Sequence, residues 1–362
     1  MASRQENHHG DGPLHNFSNG NAGRGVYCFT DIATGNNNDV AGPLPCFTPS
    51  WCLSPKMESF HASEYNLKPA QVPEIAFDPD ESSLSLINAL EVGRFFYVSV
   101  YHKCLGRNDV LLTDACTTPP KEHPDWPTRC VTFAVAMPPR SIVALCQIAD
   151  VSDDVEFDDL RISSDVQTFT NTTQDDADAD ARAVVRFPLQ ATQGETFLCT
   201  QGFGGALTHC MSPCTFHAVD FAAEVGTPCV AVGDGVVTEV CDSTPAARAS
   251  GVGVHTLFEW NAVSIELDNT ADETAGVPPL VCEYVHIDAG SARVKVGQRV
   301  RAGDVVCATG SVGFTPEPHL HFQVARGSTK TAQTVPFRFM AEGGVAFVPV
   351  AGVAYTAAGP VL

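Results

Sequence analysis

The sequence predicts an all-β protein, and three observations carry that prediction. Apolar residues gather in short runs of β-branched and aromatic type, such as Phe95-Phe96-Tyr97-Val98 and Ala262-Val263-Ser264-Ile265. Gly, Pro and Asp punctuate these runs, and no stretch keeps the 3.6-residue period of an amphipathic helix. Near the C-terminal end, Pro318-His319-Leu320-His321-Phe322 reads as a strand. Residues two apart on a strand share a face. His319, His321 and Gln323 then look one way, and Leu320, Phe322 and Val324 the other.

Taken in chain order, residues 1–85 are rich in Gly, Pro, Asn and Ser with little periodicity. They are expected to form a low-order leader, partly draped over the next domain. From Phe95 the texture changes. The runs 95–101, 131–136 and 141–146, separated by turn-rich pieces such as Pro119-Pro120 and Pro138-Pro139, predict a small β-sandwich-like accessory domain over 86–182. Between Asp150 and Asp180 stand eleven acidic residues and one basic residue, Arg161. Such a segment is expected as a solvated linker or a domain edge. Residues 183–362 then carry runs at 197–200, 229–232, 235–240, 262–267, 280–286, 305–308 and 319–324, which predict an antiparallel β-sheet domain.

A length of 362 residues suits two domains plus tails. The net charge of −21 argues against a nucleic-acid partner. No run of about 18 apolar residues occurs, so no membrane span is expected. Residues 1–25 lack the apolar stretch of a signal peptide, which leaves a cytosolic chain, export by another route, or prior trimming. A monomer is expected. Among the fourteen cysteines no CxxC spacing appears. Cys199, Cys229, Cys241, Cys282 and Cys307 lie in apolar runs and read as buried free thiols. Cys210 and Cys214 read as a local disulfide or two free thiols rather than as metal ligands.

Chemistry is concentrated in the last domain. Five of the twelve histidines fall in three clusters: His209 and His217 with Asp220, then His286, then His319 and His321. Imidazoles side by side on one strand face stand roughly 7 Å apart at ~3.3 Å per residue, and suit metal binding or proton transfer. Two histidines and a carboxylate make a catalytic zinc set that keeps a position open for water. Further imidazoles nearby can relay protons. No His-Glu-x-x-His helix is present.

These pieces resemble the M23 metallopeptidases, the LytM and lysostaphin-like zinc endopeptidases, from about Arg186 to Ala357. They come in the family's order: Gln201-Gly202-Phe203-Gly204-Gly205, Ala218-Val219-Asp220-Phe221, Asp234-Gly235-Val236-Val237, Asn261-Ala262-Val263, Tyr284-Val285-His286-Ile287, the hairpin Val296 to Gly303, and His319-Leu320-His321-Phe322. The resemblance implies a zinc-dependent endopeptidase acting on peptide bonds of peptidoglycan, and so a protein that is extracellular if it acts on cell walls. It implies Asp220 and His321 as metal ligands, with His286 and His319 as a non-ligand catalytic pair. For the first ligand it implies His209, which follows Thr208 after a Gly-rich stretch, in preference to His217, three residues before Asp220. His217 is then expected to pack. Phe203 departs from the pattern, since many members place there a tyrosine that serves the oxyanion.

Two rivals stand beside this reading. A catalytically silent LytM-like module would bind or activate a partner, yet such modules usually lose ligands and all five positions are present here. A lipoyl- or biotinyl-type carrier would need a lysine at the tip of the 296–303 hairpin, and none is there.

Overall fold

The alternation around His319 is realised as a strand buried on both faces: Leu320, Phe322 and Val324 are fully buried, and His319, His321 and Gln323 each expose under a tenth of their surface. In this computed structural model the described residues are 25–29, 47–49, 58–78, 83–101, 130–148, 161–168, 183–191, 194–205, 208–209, 214–246, 250–251, 254–271, 276–315, 317–327 and 332–361. Among them the regular structure is β-strand and short 3₁₀ turns, with no α-helix.

Among the described residues, the C-terminal region is built on a nine-stranded antiparallel sheet. Its order is Arg299–Val300, Gly235–Cys241, Ala262–Leu267, Leu280–Val285, His319–Arg326, Val219–Ala222, Phe197–Gln201, Ala354–Thr356 and Gly359–Pro360. The core lies on the face of Val263, Ile265, Phe221, Leu320 and Phe322. Phe187 meets Phe221 edge-on at 5.0 Å between centroids, and Phe322 meets Phe337 at 5.4 Å. Each buried aromatic of this kind contributes about 1.5–3 kcal/mol relative to exposure. Tyr284, also in this core, donates its hydroxyl to the Val230 carbonyl at 2.8 Å and accepts from the Val232 amide at 3.0 Å. Cys199, Cys229, Cys282 and Cys307 are buried free thiols, whereas Cys241, at the end of its strand, is only half-buried. Burial pushes the Cys199 and Cys282 thiols up to about 12.

The expected β runs of the preceding region form strands Arg94–Tyr101, Cys130–Met137 and Ser141–Ile148. They belong to two sheets. One runs Gly25–Phe29, Cys130–Met137, Arg94–Tyr101, Arg161–Thr168; the other centres on Ser141–Ile148 and Ser83–Asn88 and includes Phe47–Pro49, Glu58–Ser59 and Ile75–Asp78. Segments of the first 85 residues thus pair with strands beyond residue 85, and the acidic segment supplies an edge strand, Arg161–Thr168. Residues 1–24, with His8, His9 and His15, lie outside the described residues, as do Cys210, His102 and His123.

Two contacts between the regions bear on the site. Ser99 Oγ accepts from the Val254 amide at 2.9 Å, and Tyr97 meets Phe314 edge-on at 5.8 Å. Phe314 adjoins Gly313, which packs on His286.

Candidate metal centre

The site forms because four sequence-distant segments meet on one sheet face. Asp220 and His321 are direct cross-strand partners in the register of Val219–Ala222 against His319–Arg326. His319 pairs with Ala222 in the same ladder, which puts both histidines of the strand on the Asp220 side. His209 comes from a turn held onto this face by Gln201. The Gln201 amide nitrogen donates to Asp220 Oδ2 at 2.7 Å and to Thr208 Oγ1 at 2.8 Å. Its oxygen accepts from the Thr208 amide at 2.9 Å. The Cβ of any other residue at Gly205 would lie 2.1 Å from Gln201 Cγ, so the Gly-rich stretch makes room for this pin.

His209, Asp220 and His321 offer one ligand atom each, and these atoms lie within 4.8 Å of one another. His209 Nε2 is 3.2 Å from Asp220 Oδ1 and 3.3 Å from His321 Nδ1; His321 Nδ1 is 2.9 Å from Asp220 Oδ1. The far sides of both rings are committed. His209 Nδ1 donates to the Gly202 carbonyl at 2.9 Å, and His321 Nε2 faces the side-chain oxygen of Gln323 at 3.1 Å. Carbonyl and amide oxygens only accept, so each neutral ring turns a lone pair inward. Two lone pairs and a carboxylate oxygen then converge without a proton among them, a donor set that suits a cation such as zinc. Burial alone raises the Asp220 pKa, but His209 and His319 beside it, when protonated, hold the carboxyl well below its ordinary range.

Two further imidazoles border this cluster. His319 Nδ1 donates to the Glu317 carbonyl at 2.8 Å, and its Nε2 lies 4.0 Å from Asp220 Oδ1. His286 follows its strand in a left-handed conformation, φ +65°. A non-glycine residue held there costs about 1–3 kcal/mol and is typical of functional positions. Its Nδ1 donates to the Val312 carbonyl at 2.7 Å, and its ring centroid is 4.7 Å from that of His319. Burial, with His319 and His321 nearby, pushes its pKa well below the usual imidazole value. Asn261 stabilises the turn from below: its carbonyl accepts the His286 amide, and its side chain donates to the Thr244 carbonyl at 2.8 Å.

The geometry therefore brings together His209, Asp220, His286, His319 and His321. His217 is elsewhere. Its Nδ1 donates to the Thr334 carbonyl at 3.0 Å, and its ring lies against Phe203 and Phe216. Phe203 itself packs on Phe337 at 5.1 Å. Gln201 and Asn261 stood in the sequence only as parts of motifs, with no role of their own, and Glu283 had none either. The signal for Gln201 was its place just before the Gly-rich stretch. On the same face a groove is lined by Gln323, Glu283, Ser264, Glu266 and Thr238.

This arrangement, an all-β fold with a His–Asp–His cluster and two adjoining imidazoles, has relatives among known proteins. Residues 275–333, which include His286, His319 and His321, match Peptidase family M23. That stretch is therefore similar to the family's domain. Glycyl-glycine endopeptidase ALE-1 of Staphylococcus capitis is 32% identical over 130 residues, covering 35% of this chain and 30% of that protein. Peptidoglycan DD-endopeptidase ShyC of Vibrio cholerae is 31% identical over 120 residues, covering 33% and 22%. The chain thus spans less than a third of the length of either relative. Among solved structures, the catalytic domain of lysostaphin from Staphylococcus simulans is similar at 26% identity, covering 39% of this chain and 86% of that one, with a TM-score of 0.24.

Proposed function

We propose that the C-terminal domain is a zinc-dependent metalloendopeptidase that hydrolyses peptide bonds of peptidoglycan, in its cross-bridges or stem peptides. His209, Asp220 and His321 would hold the metal. The observation that carries this is the convergence of three acceptor atoms beside two further imidazoles whose Nδ1 protons are committed to carbonyls. Bound there, zinc supplies a Lewis acid that polarises a peptide carbonyl and acidifies water.

The chain's own residues do the rest. With Nδ1–H locked on Val312 and Glu317, His286 and His319 each present Nε2 as a base. One of them takes a proton from the attacking water at Nε2, and that proton is then passed to the leaving amine. Neutral His286 stays uncharged in its buried seat until it receives that proton. Similarity to the endopeptidases ALE-1 and ShyC supports an endopeptidase activity on peptidoglycan.

One observation favours a second reading, a silent binding module: Phe203 lacks the hydroxyl that its position implies, so an oxyanion donor must come from elsewhere. Zinc content together with dye release from labelled peptidoglycan, for wild type and His321→Ala, separates the two. Zinc-loaded wild type that releases dye, with an inactive variant, is the expected result. Zinc without release would favour the silent module, and equal release by both proteins would remove the peptidase reading.

A further inference from the structure

We propose that Gln323, clamped by Glu283 and Ser264, is a positioning residue that fixes the tautomer of His321 and so its readiness to bind metal. The inference rests on His321 being a metal ligand. Its physical basis is a ladder of three side chains on adjacent strands. Ser264 is the cross-strand partner of Glu283, and Glu283 is the cross-strand partner of Gln323. Two residues before Gln323 on its own strand stands His321, on the same face.

The hydrogen bonds in this ladder have only one consistent direction. Ser264 Oγ donates to Glu283 Oε1 at 3.2 Å. The other carboxylate oxygen accepts from the Gln323 amide nitrogen. A carboxylate cannot donate, so the Gln323 NH₂ group must face Glu283 and its oxygen must face His321. That oxygen, 3.1 Å from His321 Nε2, accepts a hydrogen bond from Nε2–H and leaves Nδ1 as the lone pair beside Asp220. With the amide turned over, its NH₂ would meet Nε2 and force the proton onto Nδ1, where it would block the metal. Glu283 is what forbids that turn. Gln323 and Ser264 are buried, and Glu283 is half-buried where the three line the groove.

The ladder also accounts for glutamine at this position. A glutamate would accept the Nε2 proton equally well, but would set a second carboxylate against Glu283. The pair should therefore be exchangeable only together. Partners of metal-bound histidines typically contribute about 10–100-fold in metal affinity.

The test measures zinc affinity by chelator competition and the His321 tautomer by imidazole ¹⁵N shifts. Gln323→Met and Gln323→Glu should each weaken zinc binding about 10–100-fold, and Gln323→Met should show mixed tautomers in zinc-free protein. The double variant Glu283→Gln with Gln323→Glu should recover most of the loss and a single tautomer. Wild-type affinity and a single tautomer in Gln323→Met would overturn the proposal while leaving His321 as a ligand. Wild-type protein that binds no zinc, or His321→Ala that binds it as tightly as wild type, would overturn the ligand assignment and this inference with it.

Discussion

His321 stands directly across the ladder from Asp220, with Nδ1 2.9 Å from Oδ1. A two-residue offset on the same strand puts His319 at the edge of that pair, its Nε2 4.0 Å from the same oxygen. One strand therefore presents two histidines that differ in what they reach, and the two should fail differently when removed.

Replacing His319 or His286 by alanine is expected to leave zinc content unchanged while hydrolysis falls about 10²–10⁴-fold, the usual contribution of general acid–base groups. Metal analysis and peptidoglycan dye release on the same preparations check this. Loss of zinc from either variant would count against the division between ligand and proton carrier.

Gln201→Leu removes the pin between the His209 turn and Asp220. It leaves the Thr208 amide and Asp220 Oδ2 without this partner, at a cost of about 1–3 kcal/mol for buried groups. A lower urea midpoint accompanied by weaker zinc binding is expected. Unchanged zinc affinity would show that the turn holds His209 without Gln201.

Gly313 has φ +105°, and an added Cβ would lie 3.0 Å from both His286 Nδ1 and Trp260 Cβ. Gly313→Ala should therefore strain the His286 seat by about 1–3 kcal/mol. If that strain falls on the reacting geometry, kcat drops about tenfold or more, with zinc content unaltered. Full activity in this variant would indicate that His286 tolerates displacement.

Charge is not expected to drive wall binding, because a net charge of −21 opposes an anionic polymer. Sedimentation with purified walls should hold steady or strengthen as added salt screens this repulsion. Binding that weakens steeply with added salt would contradict this.

Much of the fold was legible because a period of two is a local property. Leu320, Phe322 and Val324 announce their buried face without reference to any other strand. The HxH pair was legible for the same reason, and its division of roles was not, since that depends on Asp220 across the ladder. Gln201 reaches Asp220 over nineteen residues and His209 meets His321 over 112, distances at which one sequence carries no pairing information. The left-handed turn at His286 was also hidden, because nothing about a histidine signals φ +65°. In the accessory region, Arg161–Thr168 pairs along its full length although the acidic segment around it reads as linker. The strands Gly25–Phe29 and Ile75–Asp78 were likewise masked by the Gly- and Pro-rich texture around them.

The measurement that bears most directly on the metal centre is the zinc-to-protein ratio of wild type, His209→Ala, His217→Ala and His321→Ala. A three-ligand site predicts about one zinc per chain in wild type and His217→Ala, and almost none in His209→Ala or His321→Ala. Zinc retained by His209→Ala and lost from His217→Ala, or wild type without zinc, would contradict the account.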